Sequence, residues 1–189
     1  MLMTYQGRSG SVVVQNQWNK MDRVTLNRIE LAHPEIREQL KEDYLYCNNK
    51  LLGKGVRLRF ASVFRTIEEQ NQLYNKVPKV TNARGGQSIH NYGLAFDIVM
   101  LYDKDLNGSF EEASWNMNRD GDNDGESDWM TAVNFFKSKG YEWGGDWTSF
   151  KDKPHFQKDF GYSWRELKEK RESGEYFVDS TTNIKYVKL

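Results

Sequence analysis

The sequence predicts an α+β fold: a small, mostly antiparallel sheet with helices packed on one side and a cleft on the sheet. Three observations carry this expectation. The stretch Val56 to Phe64 alternates apolar and polar residues, as a half-buried strand does. Gly93-Leu94-Ala95-Phe96-Asp97-Ile98-Val99-Met100 is a run of β-formers and aliphatics holding one carboxylate, and it reads as a buried strand. Ile36, Leu40, Tyr44 and Cys47 recur at helical spacing, and so do Met130, Val133 and Phe136.

Taken in order, residues 1–24 form an N-terminal arm of unknown role, with Ser11-Val12-Val13-Val14 as a short strand candidate. Thr25 to Leu51 is helical in two pieces, because Pro34 disfavours helix at His33 and suits the first position of a new one. Gly53 and Gly55 end that segment. Arg65 follows the strand at 56–64, and Thr66 with Glu69 makes a capping box for a short helix through Tyr74. Gly85-Gly86-Gln87 is a permissive turn before the second strand. Residues 103–128 are a strongly acidic insertion. Trp129 to Lys139 is an amphipathic helix stopped by Gly140. Tyr141-Glu142-Trp143 is a strand, and His155-Phe156-Gln157 is the last core strand, with Phe156 facing away from its two neighbours. A short helix at 164–170 anchored by Leu167 precedes a terminal hairpin, 176–178 and 184–187. Residues 25–165 are thus expected to form the main domain, with 166–189 an extension packed on it.

The 189 residues suffice for one domain with a substantial core. Lys plus Arg and Asp plus Glu are 27 each, so nothing suggests a nucleic-acid or polybasic membrane-binding protein. Cys47 is the only cysteine, which excludes an internal disulfide and fits a buried small hydrophobe. No apolar run is long enough to span a membrane, and the first ten residues lack the apolar core of a secretory signal. A monomer is expected.

The chemistry is concentrated between Ser88 and Asp97. On a strand Gly93, Ala95 and Asp97 share one face, leaving space beside a carboxylate, while Leu94, Phe96 and Ile98 take the core face. His90 lies just before this strand and His155 much later. Two imidazoles and one carboxylate around an open position is the pattern of a catalytic zinc site. Such a ligand set leaves the ion positively charged and a strong Lewis acid. The thiolates of a structural site and the HExxH helix of many metallopeptidases are both missing. His33, at a helix boundary, is read as structural.

Ser88, His90, Gly93, Ala95 and Asp97 match the SxHxxGxAxD motif of the D-alanyl-D-alanine-peptidase-like zinc peptidases, the M15 family, and Asp152 with His155 matches its second motif. The stretches 80–87 and Trp143-Gly144-Gly145-Asp146-Trp147 resemble the L-alanyl-D-glutamate endopeptidase branch, which includes phage endolysins. The resemblance covers roughly residues 25–165. It implies the Hedgehog/DD-peptidase-like zinc peptidase fold, with zinc on His90, Asp97 and His155. It further implies Asp152 as general base, Arg65 as oxyanion stabiliser, and Ser88, Gln87 and Trp147 as substrate contacts. The substrate would be the peptidoglycan stem peptide, cut in the cell wall after export by phage lysis or another non-classical route. The tryptophans would then serve either the core or a groove for a sugar–peptide polymer. Two alternatives share the ligands: a D-alanyl-D-alanine carboxypeptidase or dipeptidase, and a non-catalytic zinc-containing wall-binding module, as in the similarly folded Hedgehog domain. Asp152 and Arg65 favour an enzyme, since a binding module can lose either.

Inside the insertion, Asp103, Asp105, Asn107 and Gly108, then Asp120, Asp122, Asp124 and Gly125, both repeat the D-x-[DN]-x-[DN]-G opening of a calcium loop. Ser114 and Thr131 stand where the bidentate glutamate of an EF-hand belongs. Glu111, Glu112, Glu126 or Asp128 are the available substitutes, the two loops sharing one ion is a second arrangement, and a solvated acidic insertion without calcium is the alternative.

Overall fold

The computed structural model describes residues 21–189. The strand candidate at Ser11–Val14, and all of the N-terminal arm before position 21, lie outside the described residues.

Helix α1 (Arg23–Ile29) begins two residues earlier than expected, because Asp22 caps it by accepting from the Thr25 amide at 3.3 Å. Asp22 also pairs with Arg59 at 2.8 Å, which ties α1 to strand β1 (Val56–Ser62). Helix α2 (Pro34–Tyr46) starts at the proline, capped by His33, and widens into a π-helical turn at Cys47–Leu51. Helix α3 (Ile67–Tyr74) carries the Thr66–Glu69 capping box. Strand β2 (Ala95–Tyr102) follows a 3-10 turn at Ile89–Tyr92. Strand β3 (Glu112–Ser114) lies within the insertion, helix α4 (Asp128–Ser138) closes it, and strand β4 (Glu142–Trp143) follows. Strand β5 (His155–Gln157), helix α5 (Trp164–Glu172) and the hairpin β6 (Tyr176–Val178) and β7 (Lys185–Val187) complete the chain.

The main sheet runs β1-β2-β5-β4 with β3 also on β2, antiparallel throughout. Strand β2 is its axis. β1 pairs along one edge, so β5 (opposite 95–97) and β3 (opposite 100–102) must share the other. One face of β2 is core: the Phe96 ring stacks on Phe60 at 4.4 Å and on Phe156 at 5.2 Å, and Phe136 packs edge-on against it. The opposite face carries Ala95, Asp97 and Val99.

Gly93 departs from the expectation that it shares the Asp97 face of the strand. It ends the 3-10 turn in the left-handed region, at φ 72°. A Cβ there would sit 2.7 Å from the His33 backbone nitrogen, so the position is crowded rather than open. The insertion also differs from a plain loop, since β3 builds it into the sheet.

Candidate metal centre and its cleft

Two of the three expected ligands are brought together by register alone. Asp97 on β2 lies directly opposite His155 on β5, on the non-core face. A bulge at Ala61 in β1 sets Ser62 opposite Asp97 on the other side. His90 comes from the 3-10 turn, with its Nδ1 donating to the Val63 carbonyl at 2.7 Å. A carbonyl can only accept, so Nε2 is left with its lone pair pointing inward. His155 is fixed the same way: Nε2 donates to Gln157 Oε1 at 3.0 Å, and Gln157 donates in turn to Asp159 at 2.8 Å. His155 Nδ1 therefore faces the centre as an acceptor.

The three inward atoms form a nearly equilateral triangle. His90 Nε2 is 3.2 Å from Asp97 Oδ1 and 3.2 Å from His155 Nδ1, and the latter is 3.3 Å from Asp97 Oδ1. Donors on a tetrahedral zinc at ~2.0–2.1 Å are separated by about 3.3 Å, so the donor set fits that ion. Without a cation or a proton between them, three lone pairs at this spacing repel. The electrostatics agree. Burial alone would raise the Asp97 carboxyl, yet the two imidazoles hold it well below the usual carboxylate range. Burial pushes His90 down, while for His155 the hydrogen bond and charge of Asp97 outweigh burial and push it up.

Arg65 sits beside the triangle. Its Nη2 reaches Asp97 Oδ2 at 3.3 Å and Ser62 Oγ at 3.1 Å, and its Nη1 donates to Gln70 Oε1 at 2.8 Å. Arg65 thus braces the carboxylate as well as lining the cleft. Asp152 meets His155 across a turn, closed by the His155 amide on the Asp152 carbonyl at 3.1 Å. Burial, then the neighbouring Asp97 charge, push the Asp152 carboxyl above its ordinary value. Gln87 uses its Oε1 to accept from the Arg84 amide at 2.9 Å. Trp147 packs against the His155 ring at 5.1 Å. These residues and Ser88 line one cleft of about 780 Å³.

Three participants escape a reading of the sequence. Asn91 is fully buried, its Oδ1 accepting from Gly86 at 2.9 Å and its Nδ2 donating to the Arg65 carbonyl at 2.8 Å. It thereby clamps the glycine turn to the strand end that carries Arg65. Gln70 links Arg65 to the Ala83 carbonyl at 2.8 Å. Trp115, which follows β3, forms part of the cleft wall. Adjacency to His90 is the only signal for Asn91, Gln70 carries none, and Trp115 is marked only as one of the tryptophans open to a groove role. His33 lies apart from the cluster, accepting from the Glu35 amide and donating to the Val187 carbonyl at 2.9 Å.

The two acidic loops adopt one shape. Leu106 and Asn123 take φ 57° and 60°, and Gly108 and Gly125 both take φ 94°. Carboxylate oxygens converge within 4.8 Å in the groups Asp103, Asp105, Glu111 and Asp120, Asp122, Asp124. Asn107 instead turns its amide nitrogen toward Asp105 at 2.9 Å, and Glu112 is taken by Lys104 and Arg119. Buried Asp128 accepts on Oδ2 from Tyr102 and from Gly121 in the second loop, while its Oδ1 has no hydrogen-bond partner among the described residues.

A mixed helix and small antiparallel sheet domain thus carries a His–Asp–His cluster in a cleft. Residues 81–158 match the M15 peptidase family model described as D-alanyl-D-alanine carboxypeptidase. The peptidoglycan L-alanyl-D-glutamate endopeptidase CwlK of Bacillus subtilis is 46% identical over 110 residues. That match covers 56% of this chain and 62% of CwlK. The crystal structure of the Serratia marcescens L-Ala D-Glu endopeptidase ChiX aligns with a TM-score of 0.48 at 19% identity, over 74% of this chain and 90% of that one. M15 peptidases are zinc-dependent, and the His90, Asp97 and His155 group is one that could hold a metal ion. No helix among the described residues is long and apolar enough to cross a membrane.

Proposed function

We propose that the chain hydrolyses an amide bond in the peptidoglycan stem peptide, the L-Ala–D-Glu bond, using zinc held by His90 Nε2, Asp97 Oδ1 and His155 Nδ1. The observation that carries this is the lone-pair triangle at 3.2–3.3 Å, with Asp152 and Arg65 on the wall of the same cleft. Zinc, when bound, supplies a Lewis acid that brings the pKa of a water toward ~7 and polarises the amide carbonyl. The raised Asp152 carboxyl is suited to take the proton of the attacking water and to return it to the leaving amine. Arg65, held by Gln70 and Ser62, keeps N–H donors for the developing oxyanion. Ser88, Gln87 and Trp147 line the path of the peptide. The endopeptidase assignment over D-Ala release rests on the likeness to CwlK, and the protein would act in the cell wall.

Digestion of purified muropeptides tests it. A new D-Glu amino terminus is expected, and release of D-Ala instead would move the activity to the carboxypeptidase class. Asp152→Asn should retain one zinc while losing ~100- to 10,000-fold in turnover.

The two insertion loops are also inferred to take calcium. The unpartnered buried Oδ1 of Asp128 beside the second loop favours a cation there. Calorimetric titration of zinc-loaded protein with millimolar calcium should show binding that Asp122→Ala weakens, and no heat at all would refute it.

A further inference from the structure

The cleft has a direction written in the charges that flank it and in one exposed tryptophan. On the β1 edge of β2, the loop 75–87 carries Lys76, Lys79 and Arg84 and no acidic residue. It is fastened there through Ala83, Gln70 and Arg65 to Asp97. Lys79 and Arg84 lie over the Tyr74 ring at 4.4 and 5.1 Å, and neither has a carboxylate partner among the described residues. On the opposite edge, the insertion 103–128 carries nine carboxylates against Lys104 and Arg119. Two bound divalent cations would still leave it acidic.

From this acidic side the insertion contributes a single aromatic to the cleft. Ser114 pairs with Met100, so the next residue, Trp115, comes alongside Val99 on the face that carries Asp97. Two residues of strand separate Val99 from Asp97, roughly 7 Å. Trp115 therefore stands about two substrate residues from the reacting bond. It is 57% exposed, an unusual state for a tryptophan that lines a cleft.

Resting on the proposed stem-peptide activity, we propose that the substrate lies across β2 with its sugar-bearing, amino-terminal side on Trp115. Its carboxylate-bearing side, from D-Glu onward, then lies along Lys79 and Arg84. In peptidoglycan the L-Ala nitrogen is acylated by the lactyl group of the muramyl sugar, which falls two units before the L-Ala–D-Glu bond. That side is neutral and offers a sugar face to an aromatic ring. The residues after the bond carry free carboxylates, which the acidic insertion repels and the basic loop attracts. The reverse orientation would set carboxylates against carboxylates.

The zinc-loaded full chain is assayed on two substrates, a free stem tripeptide and the same tripeptide on its disaccharide. In Trp115→Ala the ratio of kcat/KM, disaccharide-peptide over free peptide, should fall about tenfold through KM, with much of it restored in Trp115→Phe. An unchanged ratio, or a loss that falls on the free peptide, overturns the sugar assignment. Arg84→Glu should raise KM several-fold on the free tripeptide and less on one whose D-Glu carboxyl is amidated. An equal effect on both overturns the orientation. Absence of any cleavage of either substrate by the parent protein refutes the underlying activity itself, and the orientation with it.

Discussion

Gln157 decides which nitrogen of His155 faces the cluster. Its amide is oriented by Asp159, so its oxygen accepts from His155 Nε2 and leaves Nδ1 as the inward acceptor proposed to hold zinc. Gln157→Leu removes that preference at similar volume. Zinc affinity should fall ~10- to 100-fold, measured by competition with a chelator, while the thermal midpoint of the zinc-free protein stays close to the parent's. His33 is the contrasting histidine, with both nitrogens engaged only when the ring is neutral: Nδ1 caps α2 and Nε2–H meets Val187. Burial lowers its folded pKa below the usual value, so protonation favours the unfolded chain. Its stabilising contribution is present above about pH 6.5 and is lost as pH falls through that value and below. In zinc-free protein, where the cluster titrates alike in both chains, His33→Asn should lose less stability between pH 7.5 and 5.5 than the parent. Equal losses by denaturant titration would contradict this.

At the scale of elements, the joint between the 3-10 turn and β2 positions His90 relative to Asp97, and Gly93 is that joint. The left-handed backbone at φ 72° and the 2.7 Å approach of a would-be Cβ to His33 N both exclude a side chain. Gly93→Ala should cost more than about 1 kcal/mol, read as a lower denaturant midpoint, with zinc bound more weakly by whatever remains folded. This element also shows what the sequence could and could not tell. The motif picks out the three residues proposed as ligands, because their chemistry is stated by residue type and order, and the fold brings their side chains together. Alternation places Gly93 on the Asp97 face, but it says nothing about where the strand begins, and the strand starts at Ala95. Helix starts at Pro34 and Thr66 were legible, since caps are local chemistry. Strand β3 was not, since Glu-Ala-Ser has neither β-branching nor an apolar face, and only pairing with β2 makes it a strand. The sequence expectation starts α1 two residues late; its cap is local, Asp22 on the Thr25 amide, and Arg59 adds a partner distant in sequence.

For the whole molecule, the hairpin β6–β7 is a brace placed behind the metal centre. Tyr186 is fully buried, donates to the Leu31 carbonyl at 2.9 Å and packs against the His33 ring at 5.3 Å. Its ring is also among the atoms nearest to Gly93. Asp179 in the hairpin turn pairs with Arg37 at 3.1 Å, and Arg171 on α5 reaches the Asn91 carbonyl at 3.3 Å. Through these contacts the last two dozen residues meet the α1–α2 corner and the turn that holds His90, and no residue of the hairpin lines the cleft. The hairpin should therefore govern stability and metal retention without touching substrate. Removing the ring in Tyr186→Ala opens a cavity at that corner and should cost about 3–5 kcal/mol, the range of buried aromatic truncations. Tyr186→Phe keeps the volume and gives up the hydrogen bond to Leu31 and the longer one from Arg37, for about 1–2 kcal/mol. Both would be read as denaturant midpoints of zinc-loaded protein, alongside zinc content and KM on the stem tripeptide. The alanine variant should lose zinc at a lower denaturant concentration than the phenylalanine variant, with KM unchanged for the fraction that stays loaded. A raised KM at full zinc occupancy would mean that the hairpin reaches the substrate after all, and its role as a brace would have to be abandoned.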